Sequence, residues 1–419
     1  MRVLIYCFGT DGDIRPFIAL GHSLIRAGHE ATICTAEGFR AAIEASGVSY
    51  AFMNNEMLRL MQHAMPQMSG PRDAYKLIRT MGDAQRSALQ DQWAAAQDFQ
   101  PSIIVYHPKS LGGYHIAEKL GIPGVLSLAL PFFTPTREFP VPFLGNLPLG
   151  GRVNRLTYEF QRFTALAYGG MLNDFRRNTL HLPPIRRTAT LLHDRAGRPL
   201  TILYAFSRYV RPIPVDYPPN VHVTGYWFLD RPDDWQPSAA LERFLAEGPH
   251  PIYVGFGSMG FGKGADRRNK AIIDAIQRVG VRAVFATGWS QQLEVALPDS
   301  VLMIDSAPHD WLFPKVSAVV HHGGAGTTGA GLRAGRPSLI CPVLGDQPFW
   351  GHQVRLLGAG PDPLPQRQIT AERLADRINR LVSDQTYRDK AEAIARLIEA
   401  EDGPARAIEI LESIQAVRR

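Results

Sequence analysis

The chain has three cysteines in 419 residues, and Cys7, Cys34 and Cys341 each sit in an apolar, strand-like run without CxxC spacing. That set builds neither a disulfide framework nor a zinc site, so all three are read as reduced core residues. Long hydrophobic runs are also missing. After the N-terminal strand, the longest are short segments such as "SAVV" and "RAVFA", far below the ~20 apolar residues that span a bilayer. The N-terminal "VLIYCF" is only six residues long and meets Asp11 and Asp13 directly, which argues against a signal peptide and makes the N-terminus part of the fold. The chain is therefore expected to be cytoplasmic, or peripheral to a membrane. Neither a repeat at a period of 20–50 residues nor a low-complexity tract is present. Two catalytic signatures are absent as well. Neither first turn contains G-x-G-x-x-G, which weakens a dinucleotide-dependent reading. "GFGSMG" is one residue out of step with the G-x-S-x-G elbow, which removes Ser258 as a hydrolase nucleophile.

Apolar residues at 45% and charged residues at 20% fit a soluble globular protein, and the length exceeds what one hydrophobic core usually supports. The formal charge of +6 is uneven. Residues 1–215 hold 23 Lys+Arg against 15 Asp+Glu, whereas 216–419 hold 22 against 24. Aromatics are not interleaved with basic residues as in a nucleic-acid module, so no nucleic-acid partner is expected. A weakly basic first half suits an anionic membrane surface or plain solvation.

Apolar, β-branched runs alternate with amphipathic segments: "RVLIYCF", "PFIALGHSLIRAG", "EATICTA", "SIIVYH", "HIAEKLG", "PGVLSLAL". Such alternation predicts βαβ units on a parallel sheet. A second series runs from "PIYVGFGS" through "VRAVFATG" and "SAVVHHGG" to "PSLICPV". Between them the prolines of "RPIPVDYPPNVHVTGYWFLDRPDDWQP" resist regular structure and suit a linker. The reading is α/β, with two Rossmann-like, doubly wound domains facing across a cleft. Domain 1–210 is followed by a linker at 211–237 and a domain at 238–400, and the helix at 401–419 is placed to pack back on the first.

The densest signal runs from Ser317 to Val354. A buried strand enters a turn with Gly323, Gly324 and Gly326, and Thr327 and Thr328 then open a helix ending near Gly335. Free backbone N–H groups at the positive end of that helix, with hydroxyls and His322 beside them, suit a diphosphate. Asp346-Gln347 reads as a helix N-terminus. Phe349 and Trp350 read as core packing or as a platform for a sugar.

"HHGGAGTT…GLRAG.P…P..GDQPFWG" resembles the donor-binding signature of the GT-B nucleotide-sugar glycosyltransferases, and most of all their sterol glucosyltransferase-like branch. "GFGSM", "APHDWLFP" and the first strand-loop-helix extend the resemblance over nearly the whole chain. It implies His322, Gly324, Gly326 and Thr327 on the donor diphosphate, with Ser258 reaching it from the opposite turn. Asp346 and Gln347 would bond the sugar hydroxyls, and the backbone from Ala307 to His309 would hold the base. At Ala330 the chain departs from plant-type members, which place a ribose-binding Glu there. No cofactor is implied; the UDP-sugar is the donor substrate.

"CFGTDGDIRPF" supports three readings of its aspartates: an Asp-x-Asp metal pair, a helix cap before Pro16, and a catalytic base at the crevice of a doubly wound sheet. Charge compensation by the glycine turn works against the metal. Members of the resembling family read "G[ST]RGD" here, which implies Asp13 as the base and Gly12 beside the donor, while Asp11 replaces the family's Arg. On the acceptor side, Met53, Met57, Met61, Met65 and Met68 form an apolar stripe if helical, suited either to a core or to an irregular apolar ligand. "LPFFTPTREFPVPFLG" resembles the sterol-type acceptor loop and contributes Phe132, Phe133, Phe139 and Phe143. The expected activity is inverting, metal-independent transfer of a hexose, glucose by preference, from a UDP-sugar to a hydroxyl of a lipophilic acceptor. A UDP-sugar epimerase and a non-catalytic lipid-binding or activator protein are the alternatives.

Overall fold

The computed structural model describes residues 1–54, 56, 71–145, 147–256, 265–286 and 297–417. Seven parallel strands build the first sheet: β1 (Arg2–Tyr6), β2 (Glu30–Thr35), β3 (Ser49–Phe52), β4 (Ile103–Tyr106), β5 (Gly124–Leu128), β6 (Ile202–Tyr204) and β7 (Val221–Val223). Their order is β3-β2-β1-β4-β5-β6-β7. β1 is buried from Val3 to Tyr6 and β4 throughout, because helices cover both faces and strands of this kind need continuous apolar runs. The order reverses between β1 and β4, and that switch point opens a crevice beyond their carboxyl ends.

A second parallel sheet follows with β8 (Ile252–Gly255), β9 (Ala283–Ala286), β10 (Val301–Ile304), β11 (Val319–His321) and β12 (Ser338–Ile340), in the order β10-β9-β8-β11-β12. Its switch point lies between β8 and β11, which places the His322 turn at the crevice.

Two sequence expectations change, and one aromatic residue gains a packing partner. The 211–237 segment is not irregular throughout, since β7 pairs in parallel with β6. Three residues flanked by prolines are too short for a period-two pattern to show. The first helix begins at Asp11, five residues before Pro16, and runs to Arg26. Pro16 thus lies inside the helix, where it cannot donate to the carbonyl of Gly12. Phe139, read as an acceptor residue, is buried and packs on Phe349 of the second domain with ring centroids 5.5 Å apart.

Phe206 and Trp350 meet across the same junction at 6.1 Å, so the two domains share an aromatic core, with Phe349 and Trp350 fully buried. The helix Gly403–Ala416 inserts Ala407, Ile408, Ile410 and Leu411 among Ile14, Phe17, Ile18 and Leu24 of the first helix. The chain ends packed on the domain in which it began, which holds the two crevices face to face.

Candidate active site

The first wall of the cleft grows from the loop after β1. Gly9 has φ +142°, and a Cβ there would lie 2.1 Å from Asp13 Oδ2. Only glycine lets the carboxylate fold back on this loop. Oδ2 accepts the Thr10 backbone N–H at 2.9 Å and the Thr10 hydroxyl at 3.3 Å, while the Asp13 N–H donates to the Thr10 carbonyl at 2.9 Å. Asp13 is therefore a reciprocal cap. Its other oxygen faces the neighbouring switch-point loop, where Lys109 Nζ donates to Oδ1 at 2.8 Å and His107 Nε2 stands 3.7 Å away.

Sequence reasoning passed over His107 and Lys109. The available signal was "YHPK", polar residues directly after a fully buried strand next to β1. His107 Nδ1 accepts the Lys109 N–H at 3.2 Å, which assigns the ring proton to Nε2, toward Asp13. Burial, then the charge of Lys109, against the pull of Asp13, brings His107 down to about 3. It is a neutral, orienting donor at pH 7. Burial alone would raise Asp13, but the charge of Lys109, His107, and the hydrogen bonds from Lys109 and Thr10 together hold it below the usual carboxylate range. Asp11 pairs with Arg15 one helical turn on, Nε to Oδ1 at 3.1 Å. Each member of the Asp-x-Asp pair thus has a cation of its own. Gly12 is exposed between them.

The second wall is the turn from β11 into the helix Ala325–Arg333. Gly323 has φ +94°, and a Cβ would strike Ile340 Cγ2 at 2.5 Å; its N–H donates to His321 Nδ1 at 3.1 Å. Thr328 is buried, with its hydroxyl on the Gly324 carbonyl at 2.9 Å, so it closes the turn and leaves Thr327 as the hydroxyl at the helix mouth. Thr327 is half-buried. Gly326 is exposed, with open space where a side chain would stand. His322 Nδ1 and His321 Nε2 are buried without a partner among the described residues. Burial lowers His322 to about 4, so it meets an anion as a neutral hydrogen-bond donor.

Asp346 sits at the N-terminus of the helix Gln347–Leu356 and accepts the Trp350 indole N–H at 2.8 Å. Burial pushes it up to about 6, its own backbone N–H and Trp350 pull the other way, and the charge of Asp13 adds to the rise. Gln347 spends its side-chain oxygen on the Val343 N–H at 2.7 Å and that of Leu344 at 3.3 Å, which leaves its NH2 group for a ligand. The His309 ring stacks on Phe313 at 4.2 Å and meets Tyr253 edge-on at 5.9 Å. Burial, then Arg15 of the first domain, lowers it to about 4. The Ala307 side chain packs on the cluster that includes Tyr253 and Phe313. Ala330 packs there too.

On the acceptor side, Phe132 and Phe133 are half-buried around Phe160, at 6.3 and 6.5 Å between centroids. The Tyr204 hydroxyl, accepting the Phe133 and Thr134 N–H groups at 3.2 and 3.0 Å, pins their loop. Met53 is buried in the first-domain core. Ser258, Met57 and Met61 lie outside the described residues.

Comparison with known proteins agrees with this geometry. Residues 3–139 match the glycosyltransferase family 28 N-terminal domain, and residues 270–414 match the erythromycin biosynthesis protein CIII-like C-terminal domain. A sterol 3-beta-glucosyltransferase of Arabidopsis thaliana is 32% identical over 98% of this chain and 67% of its own length. One from Yarrowia lipolytica is 34% identical over 100% of the chain but 29% of its own length. The chain thus spans between under a third and two thirds of these relatives. Among solved structures, the calicheamicin glycosyltransferase CalG4 superposes with a TM-score of 0.74 at 18% identity, covering 99% of this chain and 98% of its own. The glycosyltransferase VinC in complex with DTDP gives 0.67 at 20%, covering 99% and 100%. At these identities the two structures establish the GT-B fold.

Proposed function

The chain belongs to the sterol glucosyltransferase-like branch of the GT-B glycosyltransferases, and on that premise we propose that it moves a hexose, glucose by this reading, from a UDP-sugar to a hydroxyl of a sterol or related lipophilic acceptor, with inversion. The observation that carries the reading is the pair of facing switch points, one ending in the oriented carboxylate of Asp13 and the other in an open glycine turn at a helix N-terminus. The names of the curated relatives support the sugar and the acceptor class.

In the proposed reaction the acceptor oxygen bonds to the anomeric carbon while its proton passes to Asp13. The bond from that carbon to the β-phosphate oxygen breaks, and UDP leaves with the electron pair. Amides of the turn from Gly324 to Gly326, the Thr327 hydroxyl and a neutral His322 stabilise the charge on the departing diphosphate, with Ser258 assigned to the opposite turn. Asp346 and the Gln347 amide hold the sugar hydroxyls, and the backbone from Ala307 to His309 holds the base. Phe132 and Phe133, with Met57 and Met61, are assigned to the acceptor. His107 and Lys109 are positioning residues that aim Asp13. Backbone dipoles supply the charge compensation, so the reaction needs neither metal nor cofactor. The protein's assigned location is the cytoplasm or the periphery of a membrane.

The test is incubation with UDP-glucose and a panel of sterols and other lipophilic alcohols, with and without EDTA, read by product mass. A gain of one hexosyl unit that survives EDTA is expected. UDP-sugar turnover without a glycosylated product would overturn transfer in favour of epimerisation, and dTDP-glucose in a parallel arm tests the choice of base.

A further inference from the structure

Helices Gly151–Thr157 and Phe160–Asn178 bury Asn154, Tyr158, Gln161, Leu172 and Phe175 on their inner side. The outer side is unusual for a water-facing surface. Leu156 is 65% exposed, Phe163 76% and Leu166 53%, with Val153 and Leu147 near half. Tyr158 and Glu159, between the helices, keep right-handed helical backbone angles. Leu156, Phe163 and Leu166 therefore recur at spacings of seven and three along one face. A contiguous apolar stripe on a solvated surface marks an interaction site.

Its occupant is indicated by charge. Arg152, Arg155 and Arg162 are interleaved with the stripe, against one acidic residue, Glu159, which pairs with Arg162 at 2.6 Å. Arg162 also joins Arg186, Thr188, Ala189 and Thr190 around a hollow of about 250 Å³, large enough for a phosphate group. Arg187 lies beside it, its backbone against Gly169. A second copy is a poor fit, because a two-fold contact would press these arginines against themselves. The stripe also continues into the acceptor loop: Phe143, itself exposed, stacks on Phe132 at 6.0 Å and meets Phe160 edge-on at 5.0 Å.

We propose that this face docks on an anionic lipid surface, with Leu156, Phe163 and Leu166 in the acyl boundary and Arg162 and Arg186 on a headgroup phosphate. The inference deepens the reading of a lipophilic acceptor by stating how the acceptor loop reaches a bilayer. Apolar insertion and basic attraction act together in such contacts, so each should be separately breakable.

The experiment is co-sedimentation of the full chain with vesicles of phosphatidylcholine alone or with added phosphatidylserine, in the absence of donor and acceptor. The chain should sediment with the anionic vesicles and be released by salt. Leu156→Glu/Phe163→Glu and Arg162→Gln/Arg186→Gln should each weaken that binding by about tenfold or more. Both variants should keep the wild-type thermal midpoint and UDP affinity, which shows them folded. Because binding is read without turnover, the outcome is independent of whether the sugar acceptor is a sterol. Absence of vesicle binding by the wild type, unchanged binding by both variants, or a concentration-dependent dimer abolished by Leu156→Glu/Phe163→Glu would each overturn the proposal.

Discussion

The two walls of the cleft are built on the same plan and finished differently. In the first domain the Asp13 carboxylate is bonded through both oxygens, to Thr10 and to Lys109, with His107 at 3.7 Å. In the second, His321 Nε2 and His322 Nδ1 are buried without partners among the described residues, and Gly326 faces open space. Buried polar atoms are ordinarily satisfied. A wall whose charges are balanced in advance suits a group that acts once a substrate proton arrives, whereas a wall with unsatisfied donors suits an anion held throughout. The first wall should therefore govern turnover, and the second should govern donor affinity.

The largest test of that division is Asp13→Asn. The asparagine amide oxygen can still accept the Thr10 N–H that closes the capping box, while the ion pair with Lys109 is lost. UDP binding and the thermal midpoint should stay near wild type, while turnover falls roughly 10²–10⁴-fold, the usual contribution of a positioned base. Asp11→Asn is the control and should cost far less. Near-normal turnover in Asp13→Asn would reduce Asp13 to a cap. The converse experiment is His322→Ala, read by UDP titration calorimetry. Loss of about 1.5–3 kcal/mol of binding is expected for a hydrogen bond to a charged group, and unchanged affinity would remove His322 from the site.

Gly9→Ala sharpens the comparison from the backbone. The new Cβ would meet Asp13 Oδ2 at 2.1 Å in a positive-φ conformation. Thermal unfolding should show a loss on the order of 1–3 kcal/mol, with a drop in turnover smaller than that of Asp13→Asn and UDP binding preserved. Tolerance of alanine would mean that the carboxylate is not held where the loop places it.

The smallest effect separates the walls by pH. Asp13 is depressed, so it stays ionised until the pH falls below the usual carboxylate range. Asp346 is raised to about 6 and gains a proton as the pH drops through that value. Donor KM should rise below pH 6, by roughly three- to tenfold as charge-assisted hydrogen bonds become neutral ones, with kcat nearly level. Asp346→Asn should remove the step. A kcat limb near pH 6 that survives this substitution would assign the titration elsewhere.

The uneven finish of the walls also explains what could be read in the sequence. His322, Gly324, Gly326, Thr327 and Asp346 fall within one strand-turn-helix-strand-turn passage, where local chemistry is contiguous along the chain. Asp13 was legible for the same reason. His107 and Lys109 were not, because their meaning depends on β1 and β4 being neighbours, a pairing across about a hundred residues. Gly9 carried no separate signal in the sequence, because its need for glycine arises only where the Asp13 side chain folds over it. Phe139 was ambiguous because an aromatic in a loop reads alike whether it faces a ligand or a neighbouring domain, and in the fold it packs on Phe349. The strand at Val221–Val223 was lost among prolines because three residues carry too little pattern.

Stereochemistry is where the account is most exposed. One direct displacement, with Asp13 taking the proton and the glycine turn holding the diphosphate, requires inversion at the anomeric carbon. Proton NMR of the steryl product formed from UDP-α-glucose, read at the anomeric coupling, measures it directly. The account predicts a β-glucoside throughout; an α-glucoside would contradict a single displacement across these two walls.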